Sequence, residues 1–276
     1  MADTDFPAGT LMDGKRGLIM GVANKNSIAW AIAQQLAVQG AELAFTYQGD
    51  KLLRRVRPLA ESVGSDTLLD CDVTDDAQME AAFKALEDTW GTIDFLVHAI
   101  AFAGKDQLEG SFVDNTTREG FKAALDISAY SFVDAARRAS RIMNDGGAMV
   151  TLTYLGSERV VPNYNVMGVA KAALEASTRY IAADLGPRGI RVNAISAGPI
   201  RTLAAAGIGS GRHMFRFNKA ASAMQDNTDP KGVAGAALYL LSDLGASCTG
   251  ETHHVDGGFH AIGMPQEGPL RASLEE

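Results

Sequence analysis

Tyr164 and Lys171 are the two residues of this chain whose types and spacing could do chemistry together. Seven residues are almost two turns of an α-helix, so both side chains would leave from one face, roughly 10 Å apart along the axis. A lysine side chain is long enough to cover that gap. A nearby ammonium favours the charged form of a phenol, and we expect Lys171 to make Tyr164 the better hydrogen-bond donor in this way. Such a donor suits a reaction that builds negative charge on a carbonyl oxygen.

An ordinary helix with one tyrosine and one lysine would look the same, so the elements that place the pair decide its meaning. The chain has 276 residues, enough to bury one large core, and 46% of them are hydrophobic. Its net charge of −8 argues against nucleic acid and against an anionic membrane surface as partners. No apolar run is long enough to span a bilayer, and the first residues lack the apolar stretch of a secretory signal. The two cysteines, Cys71 and Cys248, make no disulfide framework and fit a reducing cytosol, so we expect a cytoplasmic protein.

Short apolar runs alternate with longer helical patterns along the chain. The apolar runs predict strands at 16–20, 41–47, 67–71, 95–100, 148–154, 191–195 and 251–255. The helical patterns predict helices at 28–38, 51–63, 77–90, 164–185 and 230–241, and one long helix within 117–144 that Gly146 and Gly147 end.

This order of elements predicts the fold. The strands read as continuous apolar runs, each followed by a helix, as in a parallel sheet that helices cover on both faces. Right-handed crossovers then give a single Rossmann-type, doubly wound α/β domain with a seven-stranded parallel sheet over residues 1–276. Residues 264–276 mix proline, glycine and charge, and we expect them to form a mobile tail. Because such sheets bind ligands beyond the carboxyl ends of their strands, site residues should directly follow strands.

The turn after the first strand has features of a phosphate-binding site. Gly21 has no side chain where the backbone would approach a pyrophosphate. Ser27 is of the type that caps a helix N-terminus, where free N–H groups and the helix dipole favour an anion. Only one glycine of the G-x-G-x-x-G pattern is present, so an ordinary strand–turn–helix stays an alternative.

Residues after the next strands indicate which dinucleotide binds. Gln48 follows the second strand, where an acid usually contacts the ribose of NAD and an arginine the phosphate of NADP. A neutral glutamine cannot neutralise a 2′-phosphate, so we expect NADH. Asp72 follows the third strand and could accept a hydrogen bond from the adenine amino group, or it could cap the next helix, as could Asp75. The small residues Ala99 and Ala101 after the fourth strand would let a flat ring approach the backbone, although a packed strand end is equally compatible.

Taken together, these motifs resemble the short-chain dehydrogenase/reductase superfamily and, within it, the bacterial enoyl-acyl-carrier-protein reductases. The resemblance covers about 14–263, and its most specific segments are Gly21-Val22-Ala23, Ser27-Ile28-Ala29, residues 41–48, Thr153-Tyr154-Leu155-Gly156, residues 162–168 and residues 191–202. Ordinary members of the superfamily have the tyrosine and lysine four residues apart. This chain has seven, with Tyr154 ten residues upstream of Tyr164, which is the enoyl-reductase arrangement.

The resemblance implies a role for each matching residue. Tyr164 would hydrogen-bond the thioester carbonyl of the substrate, Lys171 would hold the nicotinamide ribose, and Tyr154 would be the second active-site tyrosine. Ala103 would contact the substrate as well. Independently of the resemblance, Met214 could line an adaptable apolar groove for the substrate. The implied cofactor contacts are Gly21, Ser27, Ile28, Gln48, Asp72, Val73, Ile100, Lys171, Ile200, Arg201, Thr202, Leu203 and Ala204.

The implied activity is the NADH-dependent reduction of the trans-2 double bond of enoyl-acyl-carrier-protein thioesters, the last reductive step of type II fatty-acid elongation. The resemblance also implies an acyl carrier protein as partner and a homotetramer. A short-chain reductase that acts on a carbonyl or an alcohol is the alternative, and the seven-residue spacing and Tyr154 argue against it. A nucleotide-binding module without chemistry is a second alternative, and the intact Tyr164 and Lys171 argue against that.

Residues 202–226 read as a lid over the acyl chain. Gly207, Gly209 and Gly211 would make this segment pliable, and a pair of ordinary surface helices is the alternative. Arg212, Arg216 and Lys219 cluster here within an acidic chain, and we hypothesise that they meet the acidic carrier protein or the phosphate of its prosthetic arm, with plain solvated charges as the alternative. Elsewhere, His98, His253 and His254 lack the spacing of metal ligands, and we interpret them as structural, with no metal site.

Overall fold

The structure, a computed structural model, describes residues 6–202 and 211–270. Its strands are β1 (Arg16–Met20), β2 (Glu42–Tyr47), β3 (Leu68–Asp70), β4 (Ile93–His98), β5 (Met143–Thr153), β6 (Arg191–Ala197) and β7 (Thr252–Val255). They form a seven-stranded sheet in the order β3-β2-β1-β4-β5-β6-β7, with every neighbouring pair parallel. The predicted doubly wound α/β fold is confirmed.

Helices cover both faces of this sheet. They are α1 (Ile28–Val38), α2 (Gly49–Ser62), α3 (Asp76–Trp90), α4 (Phe112–Asn115), α5 (Arg118–Leu125), α6 (Ser131–Ile142), α7 (Asn165–Leu185), α8 (Gly211–Ala221) and α9 (Pro230–Leu241). Along β1, Ile19 belongs to the apolar core beneath α1 and α9, whereas Leu18 and Met20 belong to the core beneath α3, α6 and α7. Successive side chains of one strand thus enter opposite cores, which explains why the strands read as continuous apolar runs.

The long helix predicted within 117–144 is the main error of the sequence reasoning about elements. The chain forms α5 and α6 instead, joined by a π-helical turn at Asp126–Tyr130. In this turn the hydroxyl of Ser128 accepts a hydrogen bond from the Phe102 N–H (2.9 Å) and donates one to the Phe102 carbonyl (3.1 Å). Such turns insert one residue into a helix, and here the insertion turns Ser128 toward the loop after β4.

The glycines that were expected to end this helix lie in a strand. α6 ends at Ile142, and β5 begins irregularly, because Ile93 pairs with Met143 while Phe95 pairs with Ala148. Gly146 and Gly147 belong to the irregular segment of β5 that lies between these two pairings. The remaining predicted boundaries lie within a few residues of those observed, and β1, α1 and α9 begin and end as predicted.

The predicted lid and tail are covered only in part. Residues 203–210, with Gly207 and Gly209, lie outside the described residues, so the described part of the lid consists of Thr202 and the segment that begins with the helix α8. Residues 264–270 of the predicted tail end in a helical turn at 267–270, and 271–276 lie outside the description. None of the described helices is both long enough and apolar enough to cross a membrane.

Candidate active site

Tyr164 lies immediately before α7, which begins at Asn165, so it stands one residue outside the helix that was predicted to contain it. Its side chain is buried in a slot that glycines leave open. A Cβ on Gly156 would lie 2.3 Å from the Tyr164 ring, and a Cβ on Gly168 would lie 2.6 Å from the Gly156 carbonyl oxygen. The ring of Tyr154 meets that of Tyr164 edge to face, with 5.0 Å between centroids and 76° between planes. Packing on several sides therefore fixes the phenol.

The pKa of the Tyr164 phenol moves opposite to the prediction. Burial, helped by Tyr154 and by the carboxylate of Glu175, raises the pKa of Tyr164 well above its usual range. The expected lowering by Lys171 is wrong, because the ammonium points at the end of β5 and donates a hydrogen bond to the Leu152 carbonyl (Nζ–O 2.7 Å). Tyr164 is therefore a neutral phenol at neutral pH, and it acts by donating a hydrogen bond.

Tyr154 is the second phenol of the site and is half-buried. Burial and the nearby carboxylate of Asp256 raise the pKa of Tyr154 to about 12, so this hydroxyl is also protonated at neutral pH. Ala103, a predicted substrate contact, belongs to the same small apolar cluster as both tyrosines. Met214, the other predicted substrate contact, is half-buried on α8 and lies outside that cluster as the described residues define it.

Lys171 is buried on α7, where its charge has one close counterpart. Burial lowers the pKa of Lys171 to about 8, and the carboxylate of Glu175, one helical turn further on, opposes that change. Glu175 is buried as well, and its Oε1 accepts hydrogen bonds from the hydroxyls of Thr153 (2.6 Å) and Ser157 (2.5 Å). Sequence reasoning missed Glu175, although an acid four residues after a lysine on a helix was a usable signal.

A cleft of about 630 Å³ opens beyond the carboxyl ends of the central strands, a volume typical of ligand sites. Eight of the predicted cofactor contacts line it: Gly21, Ser27, Ile28, Gln48, Asp72, Val73, Ile100 and Thr202. Leu152, the residue that binds the Lys171 ammonium, lines it too.

Other predicted cofactor contacts lie away from the cleft. Among the described residues, Lys171, Ile200 and Arg201 are outside its lining. Ile200 is buried in the core, and the guanidinium of Arg201 lies over the Phe215 ring of α8, 5.6 Å from its centroid. Leu203 and Ala204 belong to the residues that the structure does not describe.

The phosphate-type turn after β1 is built differently from the prediction. Gly21 has a φ of 101°, and a Cβ there would lie 2.2 Å from the Ala99 carbonyl oxygen, so the ends of β1 and β4 require a glycine in order to meet. Within the described residues, Ser27 makes no side-chain capping bond to α1. Its hydroxyl accepts from the N–H groups of Ala23 (3.0 Å) and Asn24 (3.1 Å) and closes the turn. The first turn of α1 still offers N–H groups without intrahelical acceptors at the edge of the cleft.

Gln48 and Asp72 form one polar unit at the far end of the cleft. The Gln48 amide donates to Asp72 (Nε2–Oδ2 2.6 Å), whose other oxygen accepts from the N–H and the hydroxyl of Thr74. Partial burial acts to raise the pKa of Asp72, but these hydrogen bonds lower it, so the carboxylate is ionised. Asp75, not Asp72, caps α3, which excludes one of the two alternatives for Asp72. The negative charge here disfavours a 2′-phosphate, as predicted from Gln48.

His98 is a core histidine whose ring nitrogens are both satisfied. Its Nε2 lies 2.9 Å from the Ser131 hydroxyl and its Nδ1 lies 3.2 Å from the Thr151 hydroxyl. Since Ser131 donates its own proton to the Ile127 carbonyl, Nε2 carries the hydrogen and Nδ1 accepts from Thr151. Burial and the charge of Lys171 lower the pKa of His98 to about 3, so the ring is neutral.

The chain is similar to known proteins over nearly its whole length. The sequence profile of the family described as Enoyl-(Acyl carrier protein) reductase matches residues 21–260. Enoyl-[acyl-carrier-protein] reductase [NADH] 1 of Rhizobium meliloti (strain 1021) is 59% identical, with 93% of this chain and 94% of the relative aligned. For enoyl-[acyl-carrier-protein] reductase [NADH] FabI of Escherichia coli (strain K12) the identity is 52%, over 92% of this chain and 97% of the relative. The crystal structure of the Anaplasma phagocytophilum reductase in complex with NAD matches with a TM-score of 0.91 at 51% identity, covering 95% of this chain and 100% of that one.

Replacing Glu175 with glutamine tests whether this carboxylate keeps Lys171 charged. A glutamine oxygen can still accept the two hydroxyl hydrogen bonds, but the negative charge that opposes the lowered pKa of Lys171 is lost. In the parent chain we expect NADH affinity to fall as pH rises through about 8, where Lys171 loses its proton. In E175Q that fall should begin at lower pH.

The measurement is a fluorescence titration of NADH binding from neutral to alkaline pH. Glu87→Gln is the matched control, because Glu87 is an exposed acid of α3 that pairs with Lys84 and lies outside the lining of the cleft. The control should keep the parent's pH profile. A profile that is the same in E175Q and the parent would show that Glu175 does not support the charge of Lys171.

Proposed function

Because the chain belongs to the enoyl-(acyl carrier protein) reductase family, we propose that it reduces the trans-2 double bond of enoyl-acyl-carrier-protein thioesters with NADH. It would thus be an oxidoreductase of fatty-acid biosynthesis that acts in the last reductive step of each elongation round. The observation that carries this proposal is the buried pair Tyr164 and Lys171, seven residues apart and placed beside a dinucleotide-sized cleft.

The residues of the cleft fit NADH. The first turn of α1 would hold the pyrophosphate, Gln48 with Asp72 would bind the adenosine end, and Lys171 would hold the nicotinamide ribose. When bound, NADH supplies the hydride that the β-carbon of the substrate receives. The remaining contacts that we propose are Gly21, Ser27, Ile28, Val73, Ile100, Ile200, Arg201, Thr202, Leu203 and Ala204.

Tyr164 performs the polar part of the reaction. As the β-carbon is reduced, negative charge moves onto the thioester oxygen, and the Tyr164 hydroxyl stabilises it by donating a hydrogen bond. Because burial raises its pKa, the phenol keeps its proton while it does so. The slot of Gly156 and Gly168 and the edge of Tyr154 aim the hydroxyl in advance, so little reorganisation accompanies the reaction.

One assay tests the proposed function. NADH oxidation is followed by absorbance with a crotonyl thioester, with a 3-oxoacyl thioester and without substrate. Turnover with the crotonyl thioester alone is the expected result. Turnover with the 3-oxoacyl thioester instead would make the chain a carbonyl reductase, and no turnover with either would leave a nucleotide-binding protein.

Removing the Tyr164 hydroxyl tests its role in the reaction. In Tyr164→Phe we expect kcat to fall about 100-fold, since one lost donor to a developing oxyanion costs that much, while the KM for NADH stays the same. Tyr154→Phe is the matched control, because it also removes one phenol hydroxyl and keeps the ring contact. Its loss should be smaller. A Y164F variant with the parent's kcat would exclude Tyr164 from the reaction.

We propose that the carrier protein docks on α8. Arg216 and Lys219 are exposed on this helix, three residues apart and so on one face. Their positive charge within an acidic chain suits an acidic protein or the phosphate of its prosthetic arm.

Charge reversal at Arg216 tests this docking surface. At low salt, Arg216→Glu should raise the KM for crotonyl-acyl-carrier-protein about tenfold and change the KM for crotonyl coenzyme A much less. Lys84→Glu, a reversal on the exposed side of α3, should leave both values near those of the parent. Equal effects of R216E on both substrates would refute the proposal that the carrier protein docks on α8.

We also propose a cytoplasmic homotetramer. The thiols Cys71 and Cys248 are free, which suits a reducing compartment. Tyr130 and Tyr180 are exposed aromatic residues of the kind that a neighbouring copy covers in an oligomer. Light scattering of the purified protein gives the number of copies, and a monomeric mass would refute the tetramer.

A further inference from the structure

Tyr164 stands between two asparagines whose backbones are both left-handed. The φ angle is 62° at Asn163 and 41° at Asn165. Residues with a side chain rarely adopt this region, and asparagine enters it more readily than most. Strain of this kind persists only where the surroundings enforce it, and it concentrates at functional positions.

Both asparagines bind the same residue, Gly110. The Gly110 N–H donates to the side-chain oxygen of Asn163 (3.2 Å), and the side-chain nitrogen of Asn165 donates to the Gly110 carbonyl (3.3 Å). The backbone partners fix which end of each amide is used: Asn163 accepts and Asn165 donates. We call this arrangement of Asn163, Asn165 and Gly110 the asparagine clasp.

The clasp joins the phenol to the loop of residues 99–117 that follows β4. Ala103 and Leu108 of this loop belong to the apolar cluster of Tyr154 and Tyr164. Ser128 binds the loop at Phe102 near its start, and within the loop the buried Gln107 accepts the N–H of Thr117 (3.0 Å). The clasp adds two hydrogen bonds to the apolar contact of the loop on the side of the phenol.

We propose that Asn163 and Asn165 are positioning residues for the reaction. The glycine slot holds the Tyr164 ring, and the clasp holds its backbone against the loop that carries Ala103. The phenol and the substrate-side wall therefore keep a constant separation, and a thioester lying against that wall meets the hydroxyl in place. Misplacing a group by about 1 Å can lower a rate 100-fold, so such an attachment matters for turnover. The inference rests on the proposed enoyl reduction.

Because the Asn163 amide accepts a hydrogen bond and the Asn165 amide donates one, the same substitution should have different effects at the two positions. An aspartate at 163 keeps the acceptor and tolerates a left-handed backbone, so Asn163→Asp should retain kcat within about twofold. An aspartate at 165 loses the donor and sets a carboxylate against the Gly110 carbonyl, so Asn165→Asp should lower kcat about tenfold or more. Asn163→Gly keeps the left-handed backbone but has no acceptor, and it should resemble N165D. KM for NADH and the unfolding temperature should stay those of the parent in all three.

Asn144→Asp is the matched control. Asn144 lies near the start of β5, at the opposite edge of the sheet from the site, and donates its side-chain amide to the Asp94 carboxylate (2.9 Å). N144D therefore also removes one amide donor and sets a carboxylate against an oxygen, but it leaves the clasp untouched. Its kcat should stay within about twofold of the parent's. The proposal is overturned if N165D and N163G keep the parent's kcat, if N144D loses as much as they do, or if the loss appears in the unfolding temperature. A parent chain that does not reduce the crotonyl thioester refutes the proposed function instead, and the two failures are thereby distinguished.

Discussion

The ammonium of Lys171 is buried where α7 meets the end of β5, and its hydrogen bond to the Leu152 carbonyl holds the helix of the site against the sheet. A buried cation needs compensation, and the surroundings supply it in two ways. Glu175, fixed by two hydroxyls, opposes the lowering of the Lys171 pKa by burial, while His98 stays neutral because burial and the ammonium both act against its protonation. The ammonium is thus bound to a carbonyl in the wall of the cleft.

The parallel sheet explains how such distant residues come together. Every strand of a parallel sheet ends at the same edge, so the segments that follow β1, β2, β3 and β4 line one cleft although they are far apart in the chain. The loop after β4 turns from that cleft toward the tyrosines, and the hydrogen bonds between Ser128 and Phe102 fix its first residues. One loop therefore contributes Ile100 to the cleft and Ala103 to the tyrosine cluster.

Much of this architecture could be predicted from the sequence because it follows from short-range patterns. Continuous apolar runs predict buried parallel strands, and residues placed directly after them, such as Gly21, Gln48 and Asp72, line the cleft. The spacing of Tyr164 and Lys171 distinguishes the enoyl reductases within the superfamily. Each of these signals lies within a few residues of the position that it describes.

The features that the sequence did not predict depend on contacts between distant residues. The π turn forms because Ser128 meets the backbone of Phe102, and no local pattern reports that contact. The pKa of Tyr164 depends on burial and on the direction in which the Lys171 ammonium points, and neither follows from spacing. The clasp of Asn163 and Asn165 also requires Gly110, more than fifty residues away in the chain.

The two glycines beside Tyr164 also determine which part of the site can adapt to different substrates. The phenol side is fixed in position, and any adaptation must come from other residues. With the ring against Gly156 and that residue's carbonyl against Gly168, the phenol has no space to retreat toward α7. A longer or bulkier acyl chain cannot be accommodated by displacing the tyrosine. The width of the substrate passage must therefore be set by residues other than this phenol. Variation in chain-length preference among proteins built in this way should map to those residues, while the position of the phenol stays the same.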